Sequence, residues 1–354
     1  MKNILIIGSE GYLGTKLGNY LKQKNFNCVG YDIGFFKDCK IIDKINFNSK
    51  KKDGRLINDN DILGFDVVIL LAAISNDPFK DLNLDKIYNP TKIFAQKIAL
   101  ICKNFRIKFI FSSSCSVYGI SNDIMFEDGP TNPQTYYSSN KIEIEEELSK
   151  LSGNGFSPIA LRLATIFGFS PRIRFDIVIN MLCGQAISYN KIMLNSDGQA
   201  WRPHLYIEDA CEAFKCCIDW NVDNGKLNIF NVGKNENNMK IIEVAKIISY
   251  LHNDCEIDYL NKNKNIKNFN ILKNQNIKDN VDKRTYIINF DKIHNELPNF
   301  KCKWTIEKGI KKLLHQLQII NLNRDIFENK MFYRLQYIKY LFKNLSIDKN
   351  LFWK

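Results

Sequence analysis

Tyr137 and Lys141 stand four residues apart at the head of a segment rich in helix formers. That spacing puts both side chains on one face of a helix. An ammonium beside a phenol favours the phenolate, so the tyrosine becomes a usable acid and base for the proton of a hydroxyl group. Upstream, Phe109-Ile110-Phe111 runs into Ser112-Ser113-Ser114-Cys115-Ser116-Val117-Tyr118-Gly119, an apolar strand with a hydroxyl-rich end. In a doubly wound sheet the carboxyl ends of the strands face the ligand crevice.

A second constellation lies near the start. Gly8-Ser9-Glu10-Gly11-Tyr12-Leu13-Gly14 directly follows the run Ile4 to Ile7 and opens a helical pattern. Glycines at Gly8, Gly11 and Gly14 permit a tight turn and the close approach of a pyrophosphate, and the helix start supplies N–H groups and positive dipole. An ordinary glycine-rich turn would read the same, and the strand–turn–helix context favours the coenzyme. Asp32 ends the next strand, where an acidic residue accepts both ribose hydroxyls of NAD and repels the extra phosphate of NADP. It could also serve as a simple turn residue. Asp53-Gly54 falls where a loop would reach the adenine.

These groups need a scaffold, and the first third alternates short apolar strands with amphipathic helices. Strands are expected at Ile4 to Ile7, Cys28 to Tyr31, Val67 to Ala72, Phe109 to Ser112 and Ile159 to Leu163. Helices are expected at Thr15 to Lys24, Ile93 to Lys103 and Tyr137 to Lys150. The pattern predicts βαβ units, hence an α/β fold: a Rossmann-like doubly wound parallel sheet covered on both faces. After about Gly168 the rhythm changes, and Pro171, Gly198 and Pro203 punctuate shorter elements. Residues 1–168 are therefore expected to hold the coenzyme and the Ser/Tyr/Lys group. Residues 169–322 should mainly form a smaller α/β substrate-binding domain, with some segments returning to the first sheet. Asn261 to Lys283 reads as an exposed Asn/Lys-rich loop. Residues 323–354 should form a helical tail with Phe327, Phe332, Leu335, Ile338 and Phe342 as a stripe packing on the body or a partner subunit.

Composition excludes several classes. Apolar residues are 45% and charged residues 25% of the chain, ordinary values for a globular protein. No apolar run approaches the ~20 residues of a spanning helix, and the short run after Met1-Lys2-Asn3 is not a signal-peptide core, so a cytoplasmic location is expected. The ten cysteines show no C-x-x-C pair and histidine is scarce, so no metal site is expected and the thiols, Cys216 and Cys217 included, read as packed and reduced. The net charge of +12 is spread along the chain without aromatic interleaving, which argues against nucleic-acid binding.

Taken together, the glycine turn, Leu71-Ala72-Ala73 after the fourth strand, Ser-Ser-x-x-Val-Tyr-Gly at 113–119 and the Tyr137/Lys141 pair resemble the extended short-chain dehydrogenase/reductases. That family includes UDP-galactose 4-epimerase and the sugar-nucleotide dehydratases. The resemblance spans residue 1 to about 320 and implies NAD, bound through Gly8, Gly11, Tyr12, Leu13, Gly14, Asp32, Asp53, Gly54, Leu71, Ala72, Ala73, Tyr137 and Lys141. It implies Tyr137 as acid/base, Lys141 as its tuner and a ribose ligand, and Ser114 as the hydroxyl that bonds the reacting sugar oxygen.

The substrate implied is a nucleotide-diphosphate sugar, with Ser75, Ser114, Ser116, Thr165, Arg174, Asn180, Arg202 and Arg284 as expected ligands. Arg202 lies in Trp201-Arg202-Pro203-His204-Leu205-Tyr206, similar to a segment whose arginine contacts the diphosphate. Dehydratases of the family carry Asp-Glu after the hydroxyl residue, where this chain has Cys115-Ser116. Redox at one carbon remains, as a 4-epimerase or 4-dehydrogenase, with a 4-keto-sugar reductase or a non-catalytic dinucleotide-binding regulator as alternatives. Ser-Pro-Arg-x-Arg-x-Asp at 170–176 and Asp-Lys-Arg-x-Tyr at 282–286 resemble a branch with a GDP-heptose 4-dehydrogenase of capsule synthesis, pointing to sugars for surface polysaccharide. Two positions depart from the family pattern: Leu205-Tyr206 displaces its histidine, and Thr91 stands where an asparagine is usual. The resemblance also implies a homodimer through the Tyr137 helix and its neighbour.

Overall fold

The computed structural model describes residues 1–42, 45–74, 84–259 and 284–354, with side chains at 84–88 excepted. The loop expected at Asn261 to Lys283 and the expected ligand Ser75 lie outside the described residues.

The first half comprises β1 (Asn3–Ile7), α1 (Tyr12–Gln23), β2 (Asn27–Asp32), β3 (Asn48–Lys51), α2 (Asp59–Ile62), β4 (Val67–Leu70), α3 (Leu84–Asn104), β5 (Lys108–Ser114), β6 (Ile120–Met125), α4 (Tyr136–Leu151) and β7 (Ile159–Leu163). The second half adds β8 (Thr165–Phe167), α5 (Val178–Tyr189), β9 (Lys191–Leu194), β10 (Trp201–Tyr206), α6 (Ile207–Asp219), β11 (Asn228–Val232), β12 (Asn238–Lys240), α7 (Ile241–Leu251), β13 (Glu256–Tyr259) and β14 (Thr285–Ile288). Three longer C-terminal helices follow at Asp291–Glu296, Ile306–Ile319 and Arg334–Lys343.

The central sheet has the order β11-β7-β5-β4-β1-β2-β3, and every pairing in it is parallel. The strand order reverses beside β1, which opens a crevice at the carboxyl ends of the strands. Strand period splits the apolar runs between two cores. Ile4, Ile6, Val67, Ile69 and Ile110 join α1 and α6 on one face. Leu5, Ile7, Val68, Leu70 and Phe109 join α3 and α4 on the other. Burial on both sides explains why these strands read as continuous apolar runs.

A second core gathers Phe167, Phe175, Leu182, Ile248 and Leu313, together with Phe327, Phe332 and Tyr333 from the tail. From the second half of the chain β11 returns to pair with β7 and forms the edge of the main sheet. The tail departs from the expected single stripe. It is broken into Arg324–Phe327, a 3-10 turn Lys330–Phe332 and Arg334–Lys343, because Asn323 and Asn329 cap new turns with their side chains. Among the described residues no helix is long and apolar enough to cross a membrane.

Candidate active site

The glycine turn is glycine by steric necessity. Gly8 adopts φ +96, and a Cβ there would lie 2.6 Å from the Ala72 backbone nitrogen. A Cβ on Gly14 would sit 2.2 Å from the Gly8 carbonyl. Leu71 and Ala72 donate their N–H groups to the Ile7 carbonyl at 2.8 and 2.9 Å, so the exit of β4, which continues through Ala73, lies against this turn. Gly11 caps α1 without a side-chain bond, leaving the first-turn N–H groups for an anion. This cradle fits a dinucleotide. Leu13 packs on the core beneath it. Tyr12 turns inward, its hydroxyl donating to the Gly168 carbonyl at 2.7 Å, and burial raises its pKa.

Asp32 ends β2. Its carboxylate accepts the Glu10 N–H at 3.0 Å and the Gly34 N–H at 2.7 Å. Burial pushes its pKa up to about 6, with those two N–H groups opposing. A ribose hydroxyl placed here would donate to the ionised form, so such binding would expel a proton wherever Asp32 carries one. NAD affinity is therefore expected to hold above pH 6 and to fall about tenfold per unit as pH drops below the Asp32 pKa. Calorimetric titrations at pH 5, 6 and 7.5 check this, and a flat profile would contradict it. Asp53, expected at the adenine, pairs with Arg55, which donates from Nε to both carboxylate oxygens at 2.9 and 3.0 Å. Gly54 opens the short 3-10 turn beside it.

Ser114 ends β5, and Tyr137 and Lys141 lie on α4, which packs against that strand. Ser114 is half-buried and its Oγ accepts the Ser116 N–H at 3.2 Å, capping the 3-10 turn Cys115–Tyr118. Thr135 and Ser138 form a capping box that starts α4 one residue before Tyr137. Lys141 Nζ donates to the Ser112 carbonyl at 2.5 Å and lies 5.4 Å from the Tyr137 ring centre. Burial lowers the Lys141 pKa to about 7, while the Glu145 carboxylate opposes that shift and Arg334 adds to it. Cys115 faces the core instead: its thiol donates to the Arg162 carbonyl at 3.1 Å, and burial raises its pKa. Ser116 Oγ is buried with no hydrogen-bond partner among the described residues.

Sequence reasoning missed the network behind this site. Glu145 receives the Ser113 hydroxyl and the Arg162 guanidinium, the latter at 2.7 Å from Nη2. Arg162 Nη1 in turn donates to the Tyr118 hydroxyl at 2.8 Å. The signal was present, since 137, 141 and 145 recur every four residues on one helix face.

The expected substrate ligands divide into groups. Thr165 is half-exposed on β8, which pairs with β10. Arg202 on β10 donates to the Arg284 carbonyl, so these two are brought together. Arg174 pairs with Asp176 through Nε at 2.8 Å and Nη2 at 3.0 Å. Asn180, expected as a ligand, is wholly buried and spends its amide on Gly168 N–H, Tyr12 Oη and the Arg174 carbonyl. It ties the glycine turn to the second core. Among the described residues no cluster of potential metal ligands occurs.

A glycine-cradled dinucleotide turn beside a Ser–Tyr–Lys group on a parallel sheet defines a short-chain dehydrogenase/reductase of the extended type. Residues 4–233 match the NAD dependent epimerase/dehydratase family, and the chain belongs to it. Its coenzyme is accordingly NAD. The uncharacterized UDP-glucose epimerase YtcB of Bacillus subtilis is 26% identical, covering 70% of this chain and 80% of that protein. An N-acetyl-alpha-D-glucosaminyl-diphospho-ditrans,octacis-undecaprenol 4-epimerase of Escherichia coli O157:H7 is 27% identical over 60% of this chain and 62% of its own length. In structure, the NAD dependent NDP-hexosamine 5,6-dehydratase TunA matches with a TM-score of 0.75 and 18% identity, covering 91% of this chain and 99% of that one. The UDP-glucuronic acid 4-epimerase of Bacillus cereus matches at 0.73 and 19%, over 90% and 99% of the two chains. At such identities the structural likeness speaks for the fold.

Proposed function

We propose that this enzyme oxidises one ring carbon of a nucleotide-linked sugar, C4, and works as a 4-epimerase or 4-dehydrogenase through a 4-keto sugar. The observation that carries the reading is the end of β5, where Lys141, from the helix that bears Tyr137, bonds the Ser112 carbonyl two residues before Ser114 while Cys115 is turned into the core. The hydroxyl chemistry is present there, and the acid pair that elimination of water would use is replaced by a buried thiol and a serine. Two of the relatives, YtcB and the undecaprenol-linked N-acetylglucosamine 4-epimerase, are named as epimerases, which supports the same reading.

NAD bound in this cradle would supply the acceptor, and on return the donor, of the hydride at the sugar carbon. Tyr137 Oη takes the proton of the sugar hydroxyl as that bond is oxidised, and gives it back on reduction. Ser114 Oγ holds the same oxygen in line. Lys141 stabilises the phenolate and would hold the nicotinamide ribose of bound NAD. Residues 1–168 thus carry the coenzyme, and 169–322 the nucleotide, with Arg202 and Arg284 on its diphosphate and Thr165 and Ser116 at the sugar. A sugar destined for surface polysaccharide fits the 170–176 and 282–286 segments. Ile93 and Leu100, seven residues apart and exposed on one face of α3, suit the homodimer implied by the family resemblance.

The test is proton NMR of the purified protein with NAD and a panel of UDP- and GDP-linked hexoses. An equilibrating pair of C4 epimers marks a 4-epimerase. A keto sugar accumulating with reduced coenzyme marks a dehydrogenase. Elimination of water across neighbouring carbons, or reduction of a supplied 4-keto sugar alone, would contradict the proposal.

A further inference from the structure

We propose that Arg172, Arg174 and Arg334 form a cradle for the diphosphate of the bound coenzyme, and that the C-terminal segment 324–354 is the strap that closes it. The inference rests on the reading that NAD lies with one ribose on Asp32 and the other at Tyr137 and Lys141.

Arg172 is the first observation. It is 0% exposed, yet among the described residues none of its three guanidinium nitrogens has a hydrogen-bond partner. Its guanidinium carbon lies 4.3 Å from the centroid of the Phe36 ring. A buried cation without hydrogen bonds is costly and is kept where an anion completes it.

The second observation is that two more guanidinium groups share this place. Arg334 approaches the same Phe36 ring at 5.5 Å. Its backbone N–H donates to Asp176 Oδ2 at 3.1 Å, the carboxylate that Arg174 grips. The cations feel each other: burial first, then Arg174, lowers the Arg172 pKa to about 10, and burial and both neighbours lower that of Arg334.

Position selects the anion. Phe36 lies on the loop that leaves Asp32, and it belongs to one apolar cluster with Ile74, Leu335 and Tyr137. A dinucleotide reaching from Asp32 to Tyr137 must carry its diphosphate between those ends, past the start of α1. Arginine forks match phosphate oxygens in that setting.

The strap is anchored at both ends of this place. Phe327 and Phe332 sit in the second core. Farther along, Trp353 Nε1 donates to the Ile33 carbonyl at 2.6 Å, and Arg55 donates to the Asn350 and Leu351 carbonyls at 2.6 and 2.9 Å. The tail therefore crosses the loop after β2 and ends beside the Asp53 turn. It lies outside residues 4–233, the part matched by the family.

The experiment is calorimetric titration of full-length wild type, R334Q and R334K with NAD, and separately with UDP and GDP, alongside melting of each unliganded protein. R334Q is expected to weaken NAD about 10- to 100-fold, the worth of charge-assisted bonds to phosphate. UDP and GDP affinities should stay at wild-type values, R334K should recover part of the loss, and the unliganded melting temperature should hold or rise as a buried like charge disappears. NAD affinity within twofold of wild type in R334Q would overturn the proposal. So would a loss that R334K does not restore, or a loss confined to UDP or GDP, which would assign the cradle to the substrate. Should R334Q fail to fold, R172Q gives the same comparison. Wild type that binds no NAD at all would remove the coenzyme reading itself, and is told apart by that baseline.

Discussion

Replacing Tyr137 with phenylalanine is expected to lower kcat by about 10²- to 10⁴-fold, the usual worth of a positioned acid/base. The reason is local. The ring is half-buried in an apolar cluster with Phe36, Ile74 and Leu335, and phenylalanine keeps that packing. What disappears is the hydroxyl proposed to carry the proton. Melting temperature and NAD affinity should consequently stay near wild type, so the loss falls on kcat. Steady-state kinetics with a C4-active substrate, set beside thermal melting, checks both parts. Full activity in Y137F would mean that another group moves the proton, and an intact biological role with no turnover would favour a binding protein over an enzyme.

Replacing Glu145 with alanine should be the most destabilising single change near the site. Its carboxylate pairs with Arg162 at 2.7 Å, and the two side chains are 4% and 5% exposed. Removing one partner of a buried pair leaves an uncompensated charge, at a cost of about 3–5 kcal/mol. The same change strips Lys141 of its opposing negative charge, so its pKa should fall below the value of about 7 that burial already imposes. Catalysis should then lose activity at neutral pH even in the folded fraction. Urea unfolding of E145A measures the first effect. The double variant E145L/R162M should recover much of the stability without restoring activity, because it leaves no buried charge behind. A loss below about 1 kcal/mol in E145A would show that water reaches the pair.

What could be read from the chain was what depends on short-range pattern. Ile4 to Ile7, the glycines that follow and Asp32 form one strand–turn–helix–strand unit, and each needs only its neighbours to be recognised. The Tyr137 and Lys141 pair is equally local, being set by helix period. Helix ends were less legible: α1 begins at Tyr12, directly after its Gly11 cap, rather than at Thr15. Long-range partnerships were not legible. Nothing near Arg334 signals that it meets Arg172 and Asp176, since 158 residues separate Arg334 from its carboxylate contact. Asn180 showed the opposite limit. It was expected among the substrate ligands from its place after the 170–176 segment, and in the fold its amide joins Tyr12, Gly168 and Arg174, none of which that placement signals. The tail stripe had helical spacing, but two asparagine caps break it into separate turns.

The central claim is redox at the sugar's C4 carried through the coenzyme, and isotope transfer tests it most directly. A UDP- or GDP-hexose bearing deuterium at C4 would be mixed with the NAD-loaded enzyme, quenched during turnover, and the released coenzyme weighed by mass spectrometry. Reduced coenzyme one mass unit heavy, present in wild type and absent in Y137F, is the predicted result. Conversion of the sugar with no deuterium ever reaching the coenzyme would contradict the account.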